Sequence, residues 1–427
     1  MASAYLTRNV SSSRQTWTWS AWVKRSKIDS YQNMFAGGTS GSADTAFNFN
    51  ADGALSLYHR ESSSLRGYFE STRKLRDTNG WYHLVANFDA TNAAGADRLV
   101  IYVNGERAAG TMHNTLPQND SGYIGNGNAA DIGRMPSGTA SYFDGQMTHI
   151  HFVDGTIYGP STFGETDATT GIWKAKTSPT VTYGSGGFFL KMDNSGNMGL
   201  DSSGNSNNFT TNGTIIQNKD TPSNVFATMD INTKNANASV TLTNVGSTVN
   251  VSNGADNCTS TLMVSSGKYY WEGKQTVGSL GMVGIRPEGM NYSQSSIFNL
   301  TGTYQGYYYY GDSGNIRPAN TSYGATFGVG DIIGFALDLD NNKLYFSKNG
   351  TWQNSGDPTS GSTGTGAVSI ATSGLTWGFS FTSGGGSDTF QMNFGNGYFG
   401  TTAVTSAQNP DDGIGIFEYD VPAGYRA

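Results

Sequence analysis

The amino-acid sequence predicts an all-β protein made of two β-sandwich, jelly-roll-like domains in tandem, joined by a turn-rich connector. Of the 427 residues, 58 are glycine, only 10 are proline and only 13% are charged, a composition that favours strands and tight turns over helices. Short segments of alternating apolar and polar residues recur with turn residues between them. Because 427 residues exceed what one ordinary core accommodates, we expect at least two domains.

The first strand is predicted at residues 16–23, TWTWSAWV. Alternation places Trp17 and Trp19 on one face of this strand and Trp22 on the other. Burying a large aromatic side chain stabilises a fold by roughly 1.5 to 3 kcal/mol, so we expect one face to pack a core, and a ligand-stacking platform is the alternative. Further strands are predicted at residues 45–49, 54–58, 81–88 and 98–103, with the spacing of a β-sandwich.

Four short sequence motifs in this region resemble those of a known family. WVK at 22–24, GWYH at 80–83, LVIYVNG at 99–105 and YFDGQMTHIHFVD at 142–154 occur in that order. Together they resemble the laminin-G or concanavalin-A-like lectin family, in which an early Trp strand, a W-x-H strand, a YVNG hairpin and a late F-x-G strand recur. The resemblance implies a lectin-like sandwich over residues 1–160. It implies no cofactor other than a structural calcium ion, which laminin-G-like domains often carry.

The last of these words contains two histidines. Alternation over residues 147–152 places His149 and His151 on one strand face. Two histidines at i and i+2 could bind zinc, but no Cys or carboxylate is obviously spaced to join them. Exposed strand histidines without a metal are the preferred interpretation.

Residues 161–220 are rich in turn residues, with short strand candidates at 187–192 and 208–210. This segment is either a connector or the completion of the first sandwich. Four short sequence motifs in or just before this segment are HFVDGT, FGETDATTGIW, YGSGGF and LDSSGNSNNF, which begin at 151, 163, 183 and 200. Together they resemble a run in virion structural proteins of marine tailed phages. In those proteins the run follows a lectin-like domain and leads into a SPRY domain.

The second domain is predicted over residues 221–427, and its clearest element is a hairpin at 330–350, GDIIGFALDLDNNKLYFSKNG. Two alternating strands flank a polar corner, and the Asn349–Gly350 dipeptide readily takes the dihedral angles of a tight turn. With GKYYWE at 267–272, VGI at 283–285 and NFG at 393–395, the hairpin resembles the SPRY domain. That family is a β-sandwich which binds partners through loops at one end and has no catalytic activity, so the resemblance implies the same here.

Two oxygen-rich loops, DNSGN at 193–197 and DSSGN at 201–205, suggest a calcium site because carboxylate and amide oxygens suit this ion. An EF-hand needs a carboxylate at the twelfth loop position, where this chain has Gly204 and Asn212. Asx turns are therefore the preferred interpretation of both loops.

The sequence gives little support for a catalytic site. Asp338 and Asp340 could share a strand face as a glycosidase pair, but Asp340 opens the hairpin corner, where a carboxylate caps backbone amides. The Glu165-Thr-Asp167 word lacks the second Glu of concanavalin-like glucanases. The single cysteine, Cys258, has no histidine in its own domain. We therefore expect the chain not to be an enzyme.

The overall charge and hydropathy exclude other classes of function. The formal net charge is −7 and the pI is near 5.2, with no long run of Lys and Arg, so no nucleic-acid partner is expected. One cysteine permits no intrachain disulfide. Nowhere do about eighteen apolar residues occur in succession, and no apolar run follows a basic N-terminal segment, so we predict neither membrane insertion nor a signal peptide.

The candidate ligand surface is the run at 304–312, YQGYYYYGD. Four consecutive tyrosines on a strand place two rings on each face, and a tyrosine ring suits sugar stacking or a protein interface. The alternative is a strand with aromatics on both faces of a two-layer sandwich. The predicted ligand-binding residues are Tyr304, Tyr307, Tyr308, Tyr309, Tyr310 and Trp352.

Together these observations predict a phage virion structural protein, most simply a tail fibre or receptor-binding adhesin that contacts host-surface glycan or protein. A capsid decoration or fibre-adaptor protein that binds other virion proteins is the first alternative, and a polysaccharide depolymerase the second. The expected partners are other virion proteins, with a homo-oligomer on the particle. The expected location is the virion, assembled in the host cytoplasm.

Overall fold

The structure is a computed structural model that describes residues 4–138, 140–234, 239–252, 257–288, 306–371 and 374–427. The chain forms two compact units, Met1–Gln217 with Thr221–Ser223 and Asn218–Asp220 with Asn224–Ala427. Within the described ranges the regular elements are strands and one-turn 3-10 helices, the latter at Gly95–Asp97, Pro160–Thr162, Ile231–Thr233, Gln353–Ser355 and Gly361–Thr363. No helix in these ranges has the length and hydropathy needed to cross a membrane.

The first unit is a sandwich of two antiparallel sheets. Sheet A has eight strands in the order β10-β6-β5-β4-β3-β11-β1-β16, sheet B has six in the order β15-β12-β2-β7-β8-β9, and β13 and β14 form a separate hairpin. The strands are β1 (Tyr5–Ser11), β2 (Thr16–Arg25), β3 (Gln32–Ser40), β4 (Ala43–Phe49), β5 (Ala54–Glu61), β6 (Ser64–Lys74), β7 (Tyr82–Asp89), β8 (Leu99–Val103), β9 (Glu106–Arg107), β10 (Gly110–Asn114), β11 (Asn126–Ile132), β12 (Gly145–Asp154), β13 (Gly164–Thr166), β14 (Trp173–Ala175), β15 (Phe188–Leu190) and β16 (Thr210–Asn212).

The core of the first unit lies between sheets A and B. Trp17 and Trp19 of β2 are fully buried in it, where Trp17 stacks on Phe88 at 5.3 Å and Trp19 meets Phe47 edge-on at 5.3 Å between ring centroids. The expectation that one face of β2 packs a core is therefore confirmed. Trp22 lies on the opposite face of sheet B, stacked on a histidine ring.

Residues 161–217 complete the first sandwich, which is the second of the two alternatives for this segment. β15 pairs with β12 at the edge of sheet B, and β16 pairs with β1 at the edge of sheet A. Phe188, Leu190 and Phe209 from this segment are buried in the same core. The first unit therefore extends well past residue 160, and the chain passes to the second unit close to residue 220.

The second unit is another antiparallel sandwich. Sheet C has the order β17-β20-β30-β22-β23-β24-β25, and sheet D has the order β18-β19-β31-β21-β26-β27-β28, with β29 also on β27. The strands are β17 (Met229–Asp230), β18 (Val240–Thr243), β19 (Thr248–Val251), β20 (Asn257–Ser260), β21 (Lys268–Val277), β22 (Gly281–Pro287), β23 (Tyr307–Tyr310), β24 (Asn315–Arg317), β25 (Thr321–Ser322), β26 (Ile332–Asp338), β27 (Lys343–Lys348), β28 (Thr351–Trp352), β29 (Val368–Ser369), β30 (Trp377–Ser383), β31 (Asp388–Asn393), β32 (Tyr398–Phe399) and β33 (Thr402–Ala403).

The predicted hairpin is present as β26 and β27, with Phe335 opposite Phe346 and Asp338 opposite Lys343. Phe335 and Phe346 face the core between sheets C and D. The outer face of sheet D is covered by the C-terminal segment 404–427, whose Phe417 and Tyr425 pack against Tyr270, Ala336 and Tyr345.

Candidate functional site

The four tyrosines predicted to bind ligand form β23, and all four are buried, with exposed fractions of 8% or less. Tyr307 and Tyr309 face the core, and Tyr308 and Tyr310 pack with Met282 on the opposite side of sheet C. Their interpretation as an outward-facing ligand surface is therefore wrong. The physical reason is that both faces of β23 are packed: Tyr307 and Tyr309 lie in the core of the second unit, and Tyr308 and Tyr310 are covered by Met282 and Leu280 on the other face of sheet C.

The other two predicted ligand residues have different outcomes. Tyr304 lies outside the described residues. Trp352 is half-buried, with its ring edge-on to Tyr270 at 6.4 Å and to Tyr345 at 6.5 Å. Trp352 is therefore part of the aromatic packing beneath the C-terminal segment, and its role in binding stays a prediction.

Tyr307 does reach the floor of an open cleft in the second unit. The cleft has a volume of about 600 Å³, which lies within the range of small-ligand sites. One wall is the β24–β25 hairpin at the edge of sheet C, and the other includes β29 at the edge of sheet D. The residues around it are Tyr307, Ile316, Arg317, Pro318, Ala319, Thr321, Ser322, Tyr323, Asn354, Ala367, Val368 and Ser369.

The first unit has a second group of polar side chains on sheet A, of which Asp44, Asn48 and Ser56 are buried. In β4, Phe47 and Phe49 point into the core, so alternation points their neighbours to the opposite face. Cross-strand register places Asp44 opposite Arg60, Ala46 opposite Tyr58 and Asn48 opposite Ser56, and the next strand adds Tyr68 and Glu70. We call this surface the outer face of sheet A and define it by Asp44, Asn48, Ser56, Tyr58, Arg60, Tyr68 and Glu70.

Hydrogen bonds connect one half of this face. The Ser56 hydroxyl donates to the Oδ1 atoms of Asn48 and Asn50, each at 2.9 Å. The Asn50 amide donates to the Tyr68 hydroxyl at 3.4 Å, and that hydroxyl donates to Glu70. Such a network fixes the amide and phenol groups in place. Asn48, Asn50 and Ser56 are buried in it, and Tyr68 and Glu70 are its partly exposed members.

The other half of the face contains the buried carboxylate of Asp44, whose pKa is raised. Asp44 is 2% exposed, its Oδ1 atom has no hydrogen-bond partner, and the nearest cationic atom is Arg60 Nε at 3.8 Å. Burial raises the pKa of Asp44 to about 6, against the opposing effects of the Arg60 charge and a hydrogen bond with Tyr58. The Arg60 guanidinium also lies over the Tyr58 ring, 5.3 Å from its centroid.

Sequence reasoning missed this face although it located β4 and β5. The signal was the polar side of the alternation in residues 44–60, DTAFNFNADGALSLYHR, whose apolar side forms the core. Polar alternation is also what any solvent-facing sheet shows, so the pattern alone does not single out a binding surface.

The two histidines of β12 are not the exposed pair that alternation predicted. His149 has a φ angle of +49°, and the pairing register with β2 shifts between Thr148 and His151, so the two rings do not simply alternate onto one face. His151 is buried, stacked on Phe189 at 4.0 Å, with its Nδ1 2.8 Å from the Tyr183 hydroxyl. Burial lowers the pKa of His151 well below its usual value. Within the described residues, no three His, Cys, Asp or Glu side chains are grouped to hold a metal ion.

The calcium interpretation does not fit the loop at 201–205. Asp201 Oδ1 accepts hydrogen bonds from the backbone N–H groups of Phe189 and Ser203, and Oδ2 accepts from the N–H of Asn207 and the Ser203 hydroxyl. A carboxylate surrounded by donors is arranged to hold turns together, as the Asx interpretation expects. Asn194 likewise accepts from the Gly196 N–H within the exposed loop 193–197.

The two aspartates considered as a catalytic pair, Asp338 and Asp340, each have a structural role. Asp338 is buried, and it accepts hydrogen bonds from the Asn341 backbone and side chain and pairs with Lys268 at 3.1 Å. Asp340 accepts a hydrogen bond from the N–H of Gly267, the residue just before β21, at 2.8 Å. Asp338 therefore stabilises the corner of the hairpin, and Asp340 joins that corner to the start of the neighbouring strand.

Comparison with known proteins agrees with the lectin-like nature of the first unit. The model of the concanavalin A-like lectin/glucanases superfamily, of laminin G type, matches residues 2–158. Residues 2–158 of the first unit are therefore similar to this superfamily. No curated protein matches the sequence.

Similar solved structures include a SPRY domain, a pentraxin and a putative carbohydrate binding protein. The SPRY domain of human HERC1 is 18% identical, with a TM-score of 0.29, and the match covers 38% of this chain and 96% of that one. A SAP-like pentraxin from Limulus polyphemus is 16% identical, with a TM-score of 0.30 and coverages of 44% and 88%. A putative carbohydrate binding protein from Bacteroides ovatus is 19% identical, with a TM-score of 0.32 and coverages of 49% and 56%.

Proposed function

We propose that this chain is a phage virion structural protein, a tail fibre or receptor-binding adhesin, and that it binds host-surface glycan through the outer face of sheet A. The lectin-like family match over residues 2–158 supports the binding role. The phage assignment is supported by the four words between residues 151 and 209 that resemble marine tailed-phage virion proteins.

The observation that carries the proposal is the chemistry of that face. Its accessible groups are the partly exposed phenols of Tyr58 and Tyr68, together with the Arg60 and Glu70 side chains, which are about one-third exposed, at 31% and 30%. Tyr31, at 59% exposed, adds an accessible ring near Tyr68. Saccharides are recognised by such combinations, in which polar groups fix hydroxyls and a ring packs against the sugar.

Weak binding at each site is sufficient on a virion. Several copies of the chain are arrayed on one particle, as a homo-oligomer or through other virion proteins. Once one copy has bound the host surface, binding of the other copies is effectively intramolecular. Effective concentration then raises the overall affinity by about a hundredfold or more. A polar face without a deep apolar pocket is compatible with this mode of attachment.

The location on the particle is tested by a reconstruction of the intact virion. We expect density for this chain at the distal end of the tail. Density lying on the capsomers would contradict the adhesin and favour a capsid decoration protein.

The binding role is tested with the purified chain on host cells. We expect it to bind the cells and to reduce phage adsorption in competition. Tyr68→Ala should weaken cell binding by several-fold, while Tyr398→Ala, a half-buried tyrosine of the second unit, should leave it unchanged. Equal binding of Tyr68→Ala and the unmodified chain would exclude the outer face of sheet A, and release of new reducing ends from host polysaccharide would contradict a purely binding function.

A further inference from the structure

We propose that Asn212, which Gly213 follows at the end of β16, is a site of spontaneous deamidation. The backbone nitrogen of Gly213 attacks Cγ of Asn212, and the Cγ–Nδ2 bond breaks. Nδ2 leaves as ammonia with the proton that the Gly213 nitrogen has lost. Water then opens the cyclic imide to aspartate or isoaspartate, so the reaction needs no catalyst and no reactant other than water.

An Asn–Gly sequence favours this reaction because glycine has no Cβ atom to block the attack and its backbone turns freely. The described ranges contain such dipeptides at asparagines 79, 104, 126, 212, 349 and 396. The attack also requires that the asparagine side chain and the following N–H group are free to approach each other. The hydrogen bonds of each pair therefore decide which one reacts.

Two of these asparagines are held in hairpin turns. Asn104 Oδ1 accepts a hydrogen bond from the His83 N–H at 2.8 Å. Asn349 Oδ1 accepts from the Ile332 N–H at 2.8 Å, and its Nδ2 donates to Asp331 at 2.7 Å. Each side chain is thus bonded to a neighbouring strand and kept away from the glycine that follows it.

Two others are restrained by bonds within their own loops. The Gly397 N–H donates to the Asn393 side chain at 3.1 Å, so the nitrogen that attacks Asn396 is occupied. Asn126 Oδ1 accepts from the Asn128 N–H at 3.1 Å, at the start of a strand that has neighbours on both sides. Both pairs are therefore expected to react slowly.

The Asn79–Gly80 pair is restrained by Asp77. Oδ1 of this carboxylate accepts from the Asn79 N–H at 2.8 Å, and a Cβ atom on Gly80 would lie 2.5 Å from Oδ2. The turn is closely packed against the carboxylate, and the negative charge opposes loss of the Gly80 amide proton. This pair is also expected to react slowly.

The Asn212–Gly213 pair has none of these restraints. Nδ2 of Asn212 donates to the Thr210 carbonyl at 3.3 Å, and within the described part of the chain Oδ1 accepts no hydrogen bond and the Gly213 N–H donates none. Gly213 is exposed and has a φ of +73°. The amide and the attacking nitrogen are therefore both available.

The position of the pair in sheet A adds local mobility. β16 has three residues and is the last strand of the sheet, and the pair of Asn212 with Tyr5 lies at the end of its ladder with β1. Strand ends of this kind open at a small cost in free energy, without unfolding of the core. Brief opening gives Asn212 the main-chain rotation that the attack requires.

The product changes the edge of sheet A. Either acid adds a negative charge opposite Tyr5, and isoaspartate also lengthens the main chain by a methylene group within the β1–β16 ladder. Phe209, the residue just before β16, is buried in the core. We expect the loosened strand to disturb this packing, so the first unit loses thermal stability as the protein ages.

The test is incubation of the full chain at pH 8.5, where base removes the Gly213 amide proton more readily than at pH 6. Peptide mass mapping measures conversion at each Asn–Gly pair, and labelling by an isoaspartyl methyltransferase identifies isoaspartate. We expect Asn212 to react several-fold faster than the other pairs in the folded chain. In urea all the pairs should react at similar rates, because unfolding removes their hydrogen bonds.

Two variants separate this mechanism from a general loss of order. Gly213→Ala should slow the conversion of Asn212 about tenfold, since a Cβ atom hinders the attack and restricts the backbone. Gly204→Ala is the matched control, because Gly204 is also exposed with a positive φ, has open space around it and does not follow an asparagine. It should leave the rate unchanged, and thermal unfolding shows whether both variants are folded.

Several outcomes would overturn the proposal. Conversion of Asn104 or Asn349 as fast as that of Asn212 in the folded chain would show that the hairpin turns give no protection. An unchanged rate in Gly213→Ala would exclude the cyclic imide. Absence of conversion at Asn212 in the folded chain, while the chain in urea reacts, would show that its side chain is not free, and equal melting of fresh and aged chains would contradict the effect on β16.

Discussion

Glu272 is the residue on which the C-terminal segment depends most directly. It is fully buried, and its carboxylate accepts hydrogen bonds from the backbone N–H groups of Glu418 at 2.8 Å and Tyr419 at 2.9 Å and from the Tyr270 hydroxyl at 3.0 Å. Burial raises the pKa of Glu272 from 4.5 to about 7, although these three donors oppose the shift. The segment is thus attached through a carboxyl group that titrates near neutral pH.

The sign of the resulting pH dependence follows from the raised pKa. Between pH 4.5 and about 7 the folded protein binds a proton that the unfolded chain releases, so the second unit should be most stable in acid and lose stability as the pH rises through 7. A shift of this size corresponds to about 3 kcal/mol at most. Glu272→Gln should remove this slope, measured as the urea midpoint of the second unit from pH 4.5 to 8.

Glu288→Gln, at an exposed position of the same unit, is the control and should keep the slope of the unmodified protein. A Glu272→Gln variant that retains the full pH dependence would show that another group titrates.

At the scale of elements, the segment from residue 155 to 186 acts as a cover for the outer face of sheet B. Trp173 donates from Nε1 to His83 Nδ1 at 3.0 Å, so the neutral His83 ring donates from Nε2 to Ser20 Oγ at 2.9 Å. Phe163 is buried against Val85 and Val153 of the same face. The cover therefore provides a hydrogen-bond donor to the buried His83 ring and also shields the apolar side chains of this face from solvent.

Gly105 tests the contact with Trp173. Its φ is +87°, and a Cβ atom there would lie 2.8 Å from the Trp173 ring, whereas Gly155 has a φ of +77° with open space around it. Both alanine variants carry the backbone penalty of about 1 to 2 kcal/mol, but only Gly105→Ala adds a clash of roughly 1 to 3 kcal/mol. We expect thermal unfolding of the first unit to show a clearly larger loss for Gly105→Ala, and equal losses would contradict the packing of Trp173.

At the scale of the whole molecule, the boundary between the units lies near residue 220 and not at 160. A fragment ending at residue 160 lacks β15 and β16, the edge strands of sheets B and A, together with the core residues Phe188 and Phe209. We expect the fragment 1–217 to unfold cooperatively on heating and the fragment 1–160 to be unfolded or aggregated. A cooperative transition of the shorter fragment would show that the later segment is a dispensable connector.

The two units should also respond to pH in opposite directions. Burial lowers the pKa of His83 from 6.5 to about 3 and also lowers the pKa of His151. The folded first unit therefore keeps both rings neutral, so its stability is highest above pH 6.5 and decreases as the pH falls. The second unit gains stability over the same fall because of Glu272. Hydrogen exchange of peptides from each unit at pH 5 and pH 8, corrected for intrinsic rates, should show this reversal, and parallel changes would contradict it.

The sequence by itself determined the strands whose two faces differ in hydropathy. β2, β7, β8 and the β26–β27 hairpin were predictable because alternation and turn residues are local signals. β3 and β6, QNMFAGGTS and SLRGYFESTRK, were missed because small and polar residues weaken the alternation. β3 and β6 are strands because they pair with neighbouring strands of sheet A, although their own composition does not predict it.

Only the tertiary structure decided where the candidate sites lie. Four tyrosines in a row look like a surface, but the core covers one face of β23 and side chains such as Met282 cover the other. Asp44 and Arg60 are sixteen positions apart, and only the pairing of β4 with β5 brings them together. The physical reason is that periodicity tells which side chains share a face of one strand, whereas which strands are neighbours and what covers each face depend on contacts between residues distant in sequence.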